Sequence, residues 1–266
     1  MHGGNAARVQ VPEAEVLVAT RELQVIRSGE RTNATGKAVS NKILLSIPNR
    51  EYSSVRPHLN FVDLLNHHNL YEPGQTLKHV HFLNKGMISL VVPTEDGKTV
   101  EAGVVGHEGM AGMAATVGLM RSPLREIVQV SGDGFRVTTT AFQGALASSP
   151  KFRTALNRYA VLQGLQVAQT AACNRLHEIE QRLARWLLMV QDRIDEGKLL
   201  VTHDFLATML GTDRPSVTVA AGTLQKRGLI EYTRAAVKIV NRKKLESFVC
   251  ECYGIIQQFN GELGLR

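Results

Sequence analysis

Cysteine and long apolar runs are both scarce in this chain, and each scarcity removes a class of protein. Three cysteines, Cys173, Cys250 and Cys252, cannot build a disulfide framework. Their spacing does not supply the four thiolates of an iron–sulfur cluster or a zinc ribbon, so they read as separate reduced thiols with no metal expected. No stretch approaches about 18 consecutive apolar residues, and the N-terminus lacks the charged-then-apolar pattern of a secretory signal. A soluble, cytoplasmic chain without a membrane partner is therefore expected. Charged residues make up only 21% and form no long basic run, although the net charge is +7. That excludes a polybasic tail and leaves a focused basic patch. No paired carboxylates or nucleophile–base arrangement can be picked out, so no enzyme and no cofactor are expected.

What is present is most specific between Thr202 and Arg234. Thr202 precedes an apolar-periodic run of Phe205, Leu206, Met209 and Leu210, which predicts a two-turn helix with a hydroxyl cap that ends at Gly211. Asp213 can cap a second helix, with Pro215 in its first turn, Val217, Ala220, Ala221 and Leu224 on its buried face, and Gly228 as its stop. Residues 229–232 and 237–240 then alternate with period two around a turn, as a hairpin does. The order is that of a winged helix-turn-helix, and it points to duplex DNA. The bland alternative is a pair of helices and a hairpin with no nucleic-acid role.

Arg214, Ser216 and Thr218 fall on the first turn of the second helix, away from its apolar face. They are the expected base readers, because that turn meets base edges in the major groove. Thr202, Lys226, Arg227, Arg234 and Lys238 are expected to hold the phosphate backbone and to carry no sequence information.

Upstream, residues 1–40 contain Gly3-Gly4 and scattered charges, and they read as a poorly ordered extension. Residues 41–149 hold short β-rich runs. His79 to Val92 is interrupted by Asn84-Lys85-Gly86, Thr94 to Gly97 makes a turn, and strands resume at 100–105 and 127–130. An antiparallel barrel or jelly roll fits that spacing. From Pro150 to Gly197 a long helical signal occupies the segment 150–195. Leu162, Leu165, Ala172 and Leu176 form its partner face, expected to be a dimer seam, since a helix-turn-helix reads two half-sites about 34 Å apart. Leu183, Ala184, Trp186, Leu187 and Val190 are expected to pack on the winged domain, 196–266, and Glu178 and Glu180 to pair with Arg182 and Arg185. The fold class is α+β.

Gly106-His107-Glu108-Gly109-Met110, Arg182 to Leu188, and the run from Leu206-Ala207 through Arg214 to Gly228-Leu229-Ile230 together resemble the Crp/Fnr superfamily of bacterial transcription regulators. The resemblance spans roughly Asn41 to Leu245. It implies a cyclic-nucleotide-binding-like β-roll, a dimerisation helix and a winged helix-turn-helix, acting as a homodimer on palindromic duplex DNA beside RNA polymerase. It also places an effector pocket around Gly106, His107, Glu108, Gly109, Arg121 and Arg125. The pocket departs from the cyclic-AMP pattern. His107 stands where a ribose-binding glutamate belongs, Arg125 is one place out of register with the phosphate-clamping arginine, and Val167-Ala168 replace the polar pair that reaches the base. A degenerate effector domain is expected, with the effector unknown. The rivals are the same architecture gated by a cyclic dinucleotide, haem or a redox signal, and a scaffold that binds no DNA. His58, His67, His68, His79, His81 and His107 offer imidazoles for haem or a metal, and Cys173 beside Arg175 and Arg182 offers a redox thiol, but none stands in a fixed-spacing motif.

Overall fold

A computed structural model describes residues 26–194, 197–233 and 236–262. Two short helices, α1 (Lys42–Ser46) and α2 (Asn49–Val55), lead into eight strands. These are β1 (Asn60–Leu64), β2 (Asn69–Tyr71), β3 (His79–Leu83), β4 (Met87–Pro93), β5 (Thr99–Val105), β6 (Met110–Ala111), β7 (Arg125–Val130) and β8 (Gly132–Thr138). They pair antiparallel in two four-stranded sheets, ordered β1-β8-β3-β6 and β2-β7-β4-β5, and so form the expected β-roll. The break at Asn84-Lys85-Gly86 is the turn between β3 and β4. It is tight, because a side chain at Gly86 would come within 2.6 Å of the Val130 carbonyl. The turn at residues 94–97 closes through Thr94 N–H donating to Lys98 O at 2.8 Å.

The expected disordered extension is corrected in its described part; residues 1–25 lie outside the described residues. Arg31 is buried and donates to the carbonyls of Leu44 and Ile47 and to Asn49 Oδ1, so it closes the C-terminal end of α1. Thr32 and Ala38 form a bridge across a Gly36 turn, and Val39 is buried. An arginine that satisfies orphan helix carbonyls folds a segment that composition alone reads as loose.

After α3 (Thr139–Ala147), helix α4 runs from Pro150 to Leu176. Phe152, Leu156, Tyr159, Leu162, Gln166, Thr170 and Cys173 form its buried stripe, at spacings of three and four. Phe152 meets Phe82 and Phe142 with ring centroids 6.0 Å apart, and Gln166 Oε1 accepts from Val104 N–H at 2.8 Å, so the stripe lies on the roll. This corrects the expected seam. Leu162 belongs to the chain's own core, Leu165 and Ala172 are half-buried, and Leu176 is exposed together with Val161 and Val167.

The helical signal breaks at His177, which adopts extended backbone, and α5 (Ile179–Gln191) begins two residues later. Leu183 through Val190 are all buried, and Trp186 stands edge-on to Phe205 at 6.0 Å, so α5 is the core of the winged domain as expected. Arg182 donates to Leu210 O, while Arg185 is buried against Thr170 and Met189. Neither makes the expected i, i+4 pair with Glu178 or Glu180 among the described residues.

Gly109 lies under α4, where a β-carbon would fall 2.0 Å from the Tyr159 ring. Gly109→Ala should cost about 1–3 kcal/mol by overpacking, seen as a lower urea midpoint. An unchanged midpoint would mean that Tyr159 does not seal this contact.

Candidate nucleic-acid interface and effector pocket

Thr202 caps α6 (His203–Leu210) by accepting from Phe205 N–H at 3.2 Å, and Gly211 ends the helix in the left-handed region at φ +59. Asp213 caps α7 (Arg214–Lys226) by accepting from Ser216 N–H at 2.8 Å. Val217, Ala220, Ala221 and Leu224 are buried, which turns Arg214, Thr218 and Val219 outward. Strands β10 (Ile230–Thr233) and β11 (Ala236–Ile239) form the wing, joined by β9 (Leu199–Leu200) at its edge.

Arg214 is exposed at the mouth of α7 and held loosely by Asp204, 3.5 Å away, an exposed pair that another anion can displace. The hydroxyls of the other two expected readers are already engaged. Ser216 is half-buried and donates to Asp213 Oδ2 at 3.0 Å, and Thr218 donates to Arg214 O at 3.0 Å and stands 2.9 Å from His203 Nδ1. Ser216 is thus part of the cap, which its position three residues after Asp213 could have indicated.

Among the expected backbone contacts, Lys226 and Lys238 are exposed, and Arg227 follows α7 with its guanidinium 4.8 Å over the Phe248 ring. Arg234 lies outside the described residues. Of two further features on this face, only the His203 stacking escaped the sequence reading. Val219 is 65% exposed on α7, where a branched methyl suits a thymine methyl, and His203 stacks on Tyr232 at 4.1 Å, tying α6 to the wing. Val219 was legible, being one residue beyond Thr218 on the outer face.

The expected effector residues do not converge on one pocket. Glu108 turns away from the roll and forms a buried pair with Arg193, at 2.8 Å, just beyond α5. Burial alone would raise its carboxyl, but the Arg193 guanidinium and His107 hold it below the usual range. Arg121 is exposed and donates to Gly74 O, and Arg125 pairs on the outside with Glu72 at 2.9 Å. Gly109 lies under Tyr159, and the carbonyl of His107 accepts from Lys42 N–H at 2.8 Å. Inside the roll the neighbouring residue, Glu126, presents a carboxylate. It accepts from Gly112 N–H at 2.9 Å and stands 3.4 Å from the Ser122 hydroxyl. Burial pushes it up to about 7. Glu101 reaches about 7 for the same reason, where it accepts from Ser89 and from Trp186 Nε1 of α5.

Among the described residues, His58, His67, His68, His79, His81 and His107 form no ligand cluster. His79 and His81 share a face, with rings 6.3 Å apart, and burial lowers His81 to about 4, so it is neutral at pH 7. The cysteines are the correction. Cys173, Cys250 and Cys252 meet with His177 rather than standing apart. The Cys173 thiol is lowered by its hydrogen bond with Cys250, with Arg185 and His177 adding to the effect, and Cys250 is raised in turn.

The folded value of Glu126 lies above its ordinary one, so the folded chain binds this proton more tightly. The associated stability is full below about pH 4.5 and declines as pH rises toward 7. Glu126→Gln should remove up to about 3 kcal/mol of that decline, measured by urea unfolding from pH 4.5 to 8. An identical slope in the variant would place the proton elsewhere.

Residues 181–248 match the profile of the Crp-like helix-turn-helix domain. No protein of curated function is similar enough in sequence to count as a match. Among solved structures, the c-di-GMP responsive global regulator CLP of Xanthomonas campestris is similar over 73% of this chain and 100% of its own, with TM-score 0.61 and 14% identity. FixK2 from Bradyrhizobium japonicum is similar over 72% and 98%, with TM-score 0.59 and 13% identity. A transcriptional regulator of the CRP family from Thermus thermophilus is similar over 70% and 95%, with TM-score 0.56 and 21% identity. No helix among the described residues is long and apolar enough to cross a membrane. The chain carries a Crp-like helix-turn-helix domain at its C-terminal end on the fold of the Crp/Fnr superfamily of transcription regulators.

Proposed function

We propose that the chain is a cytoplasmic, non-enzymatic transcription regulator that binds palindromic duplex DNA as a homodimer and acts beside RNA polymerase. The observation that carries this reading is the outer face of α7, which opens on an exposed Arg214 whose one ion-pair partner, Asp204, is itself exposed. In the major groove that guanidinium can exchange its weak carboxylate contact for the O6 and N7 of a guanine. Thr218 and Val219 follow it along the groove, and Thr202, Lys226, Arg227 and Lys238 suit phosphates on either side.

The second half-site requires a second copy, and α4 offers the face for it. Val161, Leu165, Ala168, Ala172 and Leu176 recur at steps of four, three, four and four on the side away from the buried stripe. That is coiled-coil spacing with small residues between the large ones. Leu165, Ala172 and Leu176 keep their seam role in this reading, and Val161 takes the place of Leu162.

The effector domain is degenerate toward cyclic AMP. A phosphate entering the roll would meet the Glu126 carboxylate, with Arg125 engaged outside by Glu72 and Arg121 by Gly74, so an anion would be both repelled and under-paired. A second reading, the same regulator gated by another small molecule, is favoured by a cleft of about 700 Å³ between the roll and the C-terminal helices, lined by cations and carboxylates together, among them Lys42, Arg193 and Arg242 with Glu108, Asp192 and Glu246. Effectors of other chemistry, such as a cyclic dinucleotide, would be sought there.

Selection of bound duplexes from a random pool tests the reading, and failure to enrich any sequence would defeat it. With an operator in hand, Arg214→Ala should weaken binding by about 1–3 kcal/mol and relax preference at one symmetric pair of bases, whereas Lys226→Ala should weaken all sequences alike. Full sequence preference in the arginine variant would move the recognition surface elsewhere. Leu165→Glu should bury an unpaired carboxylate in the seam, cost several kcal/mol of association, and lower DNA affinity in parallel, as followed by sedimentation. A variant that stays dimeric would locate the seam on another face.

A further inference from the structure

Cys173 occupies the last turn of α4 and His177 the first residue beyond it, while Cys250 and Cys252 flank the start of α9 (Glu251–Glu262), which follows α8 (Arg242–Phe248). Seventy-seven positions separate Cys173 from Cys250, yet their sulfurs stand 3.6 Å apart. Cys252 Sγ stands 3.7 Å from His177 Nδ1, and the four ligand atoms all lie within 4.8 Å of one another. We propose that Cys173, His177, Cys250 and Cys252 form a structural zinc site that fastens the end of the long helix to the C-terminal helix.

The spacing selects a single ion. Zinc bonds of about 2.3 Å to sulfur and about 2.0 Å to nitrogen, at tetrahedral angles, require ligand–ligand edges of about 3.5 to 3.8 Å. The Cys173–Cys250 and Cys252–His177 separations already have that length, and the others lie within 4.8 Å. A polynuclear iron–sulfur cluster would spread its thiolates around several irons and needs a wider cage. Three thiolates and a neutral imidazole are also a donor set that soft tetrahedral ions favour over magnesium or calcium.

Two surrounding groups fit the same assignment. The other imidazole nitrogen of His177, Nε2, stands 3.2 Å from Glu251 Oε1. A carboxylate there holds the proton on Nε2 and leaves the Nδ1 lone pair aimed at Cys252, the usual outer partner of a metal-bound histidine. Arg185, 5% exposed, bonds Thr170 and the Met189 sulfur, has no carboxylate partner among the described residues, and leaves its Nε without an acceptor. A zinc ion with three thiolates and one neutral imidazole carries one net negative charge, which would compensate this buried guanidinium.

The site would lie at the joint where α4 gives way to α5, so its ion would cross-link the long helix to the winged end much as a disulfide closes a long loop. The link also explains why three cysteines that are unremarkable in sequence are all buried at one place.

The test uses the full chain, purified under reducing conditions, with zinc, iron and acid-labile sulfide measured per chain. About one zinc per chain is expected, without sulfide. Metal-free protein titrated with cobalt should develop the intense visible bands of a tetrahedral thiolate complex, which zinc then abolishes. Excess chelator should lower the melting temperature reversibly. The double variant Cys250→Ser with Cys252→Ser should lose the bound metal. In case that variant fails to fold, Glu251→Gln keeps every ligand and should weaken zinc affinity by about 10- to 100-fold while folding normally. Iron with sulfide, a Cys173–Cys250 disulfide formed in place of metal binding, or a folded, reduced chain that takes up neither zinc nor cobalt would each overturn the assignment.

Discussion

The buried pair between Glu108 and Arg193 is the interaction on which the arrangement of this molecule depends, because it stands where the roll meets the winged domain. Glu108 lies three residues beyond β5, an edge strand of the β2-β7-β4-β5 sheet, and Arg193 follows α5, whose other side is the core of the winged domain. The guanidinium also donates to Met189 O at 2.7 Å, and the Glu108 carboxylate accepts from Gly106 N–H at 3.2 Å. Both charges are almost wholly removed from water, so each needs the other. Removing one partner leaves an uncompensated charge, which costs far more than the pair contributes. The Trp186–Glu101 hydrogen bond makes a second polar tie between the same two bodies. Polar ties of this kind hold one relative orientation, whereas an apolar interface of equal area would tolerate several.

That link also changes the meaning of the glycine-rich segment at 106–109. In the resemblance it borders a ligand; in this chain its glutamate belongs to the interdomain joint, and the interior of the roll carries Glu126 instead. That internal carboxyl accepts from Gly112 N–H and stands near the Ser122 hydroxyl. The interior of the roll therefore holds a buried carboxyl, while a polar cleft opens at the joint.

Helix α4 presents two apolar faces, and only one of them packs on the roll. The stripe from Phe152 to Cys173 is bulky and lies on the roll, while the opposite face alternates Val161, Leu165 and Leu176 with Ala168 and Ala172. Both faces are apolar at spacings of three and four. Periodicity therefore reports two apolar faces, without saying which of them the chain itself covers.

Local chemistry decided much of this protein before any tertiary contact. Thr202, Gly211, Asp213 and Pro215 set both helices of the helix-turn-helix, because capping and left-handed backbone act over three or four residues and need no distant partner. The same holds for the turns at Gly86 and Gly97, which made the strands of the roll legible. What the sequence could not contain is which distant groups meet. Leu162 entered the core in place of the seam because the turn of α4 on the roll is chosen by Gln166 and Tyr159 finding Val104 and Gly109. Arg31 ordered the segment before α1 because its carbonyl partners lie more than ten residues away. Cys173 and Cys250 met across 77 positions. Ion pairs, ligand clusters and helix rotation are products of three-dimensional proximity, and spacing along the chain carries no record of it.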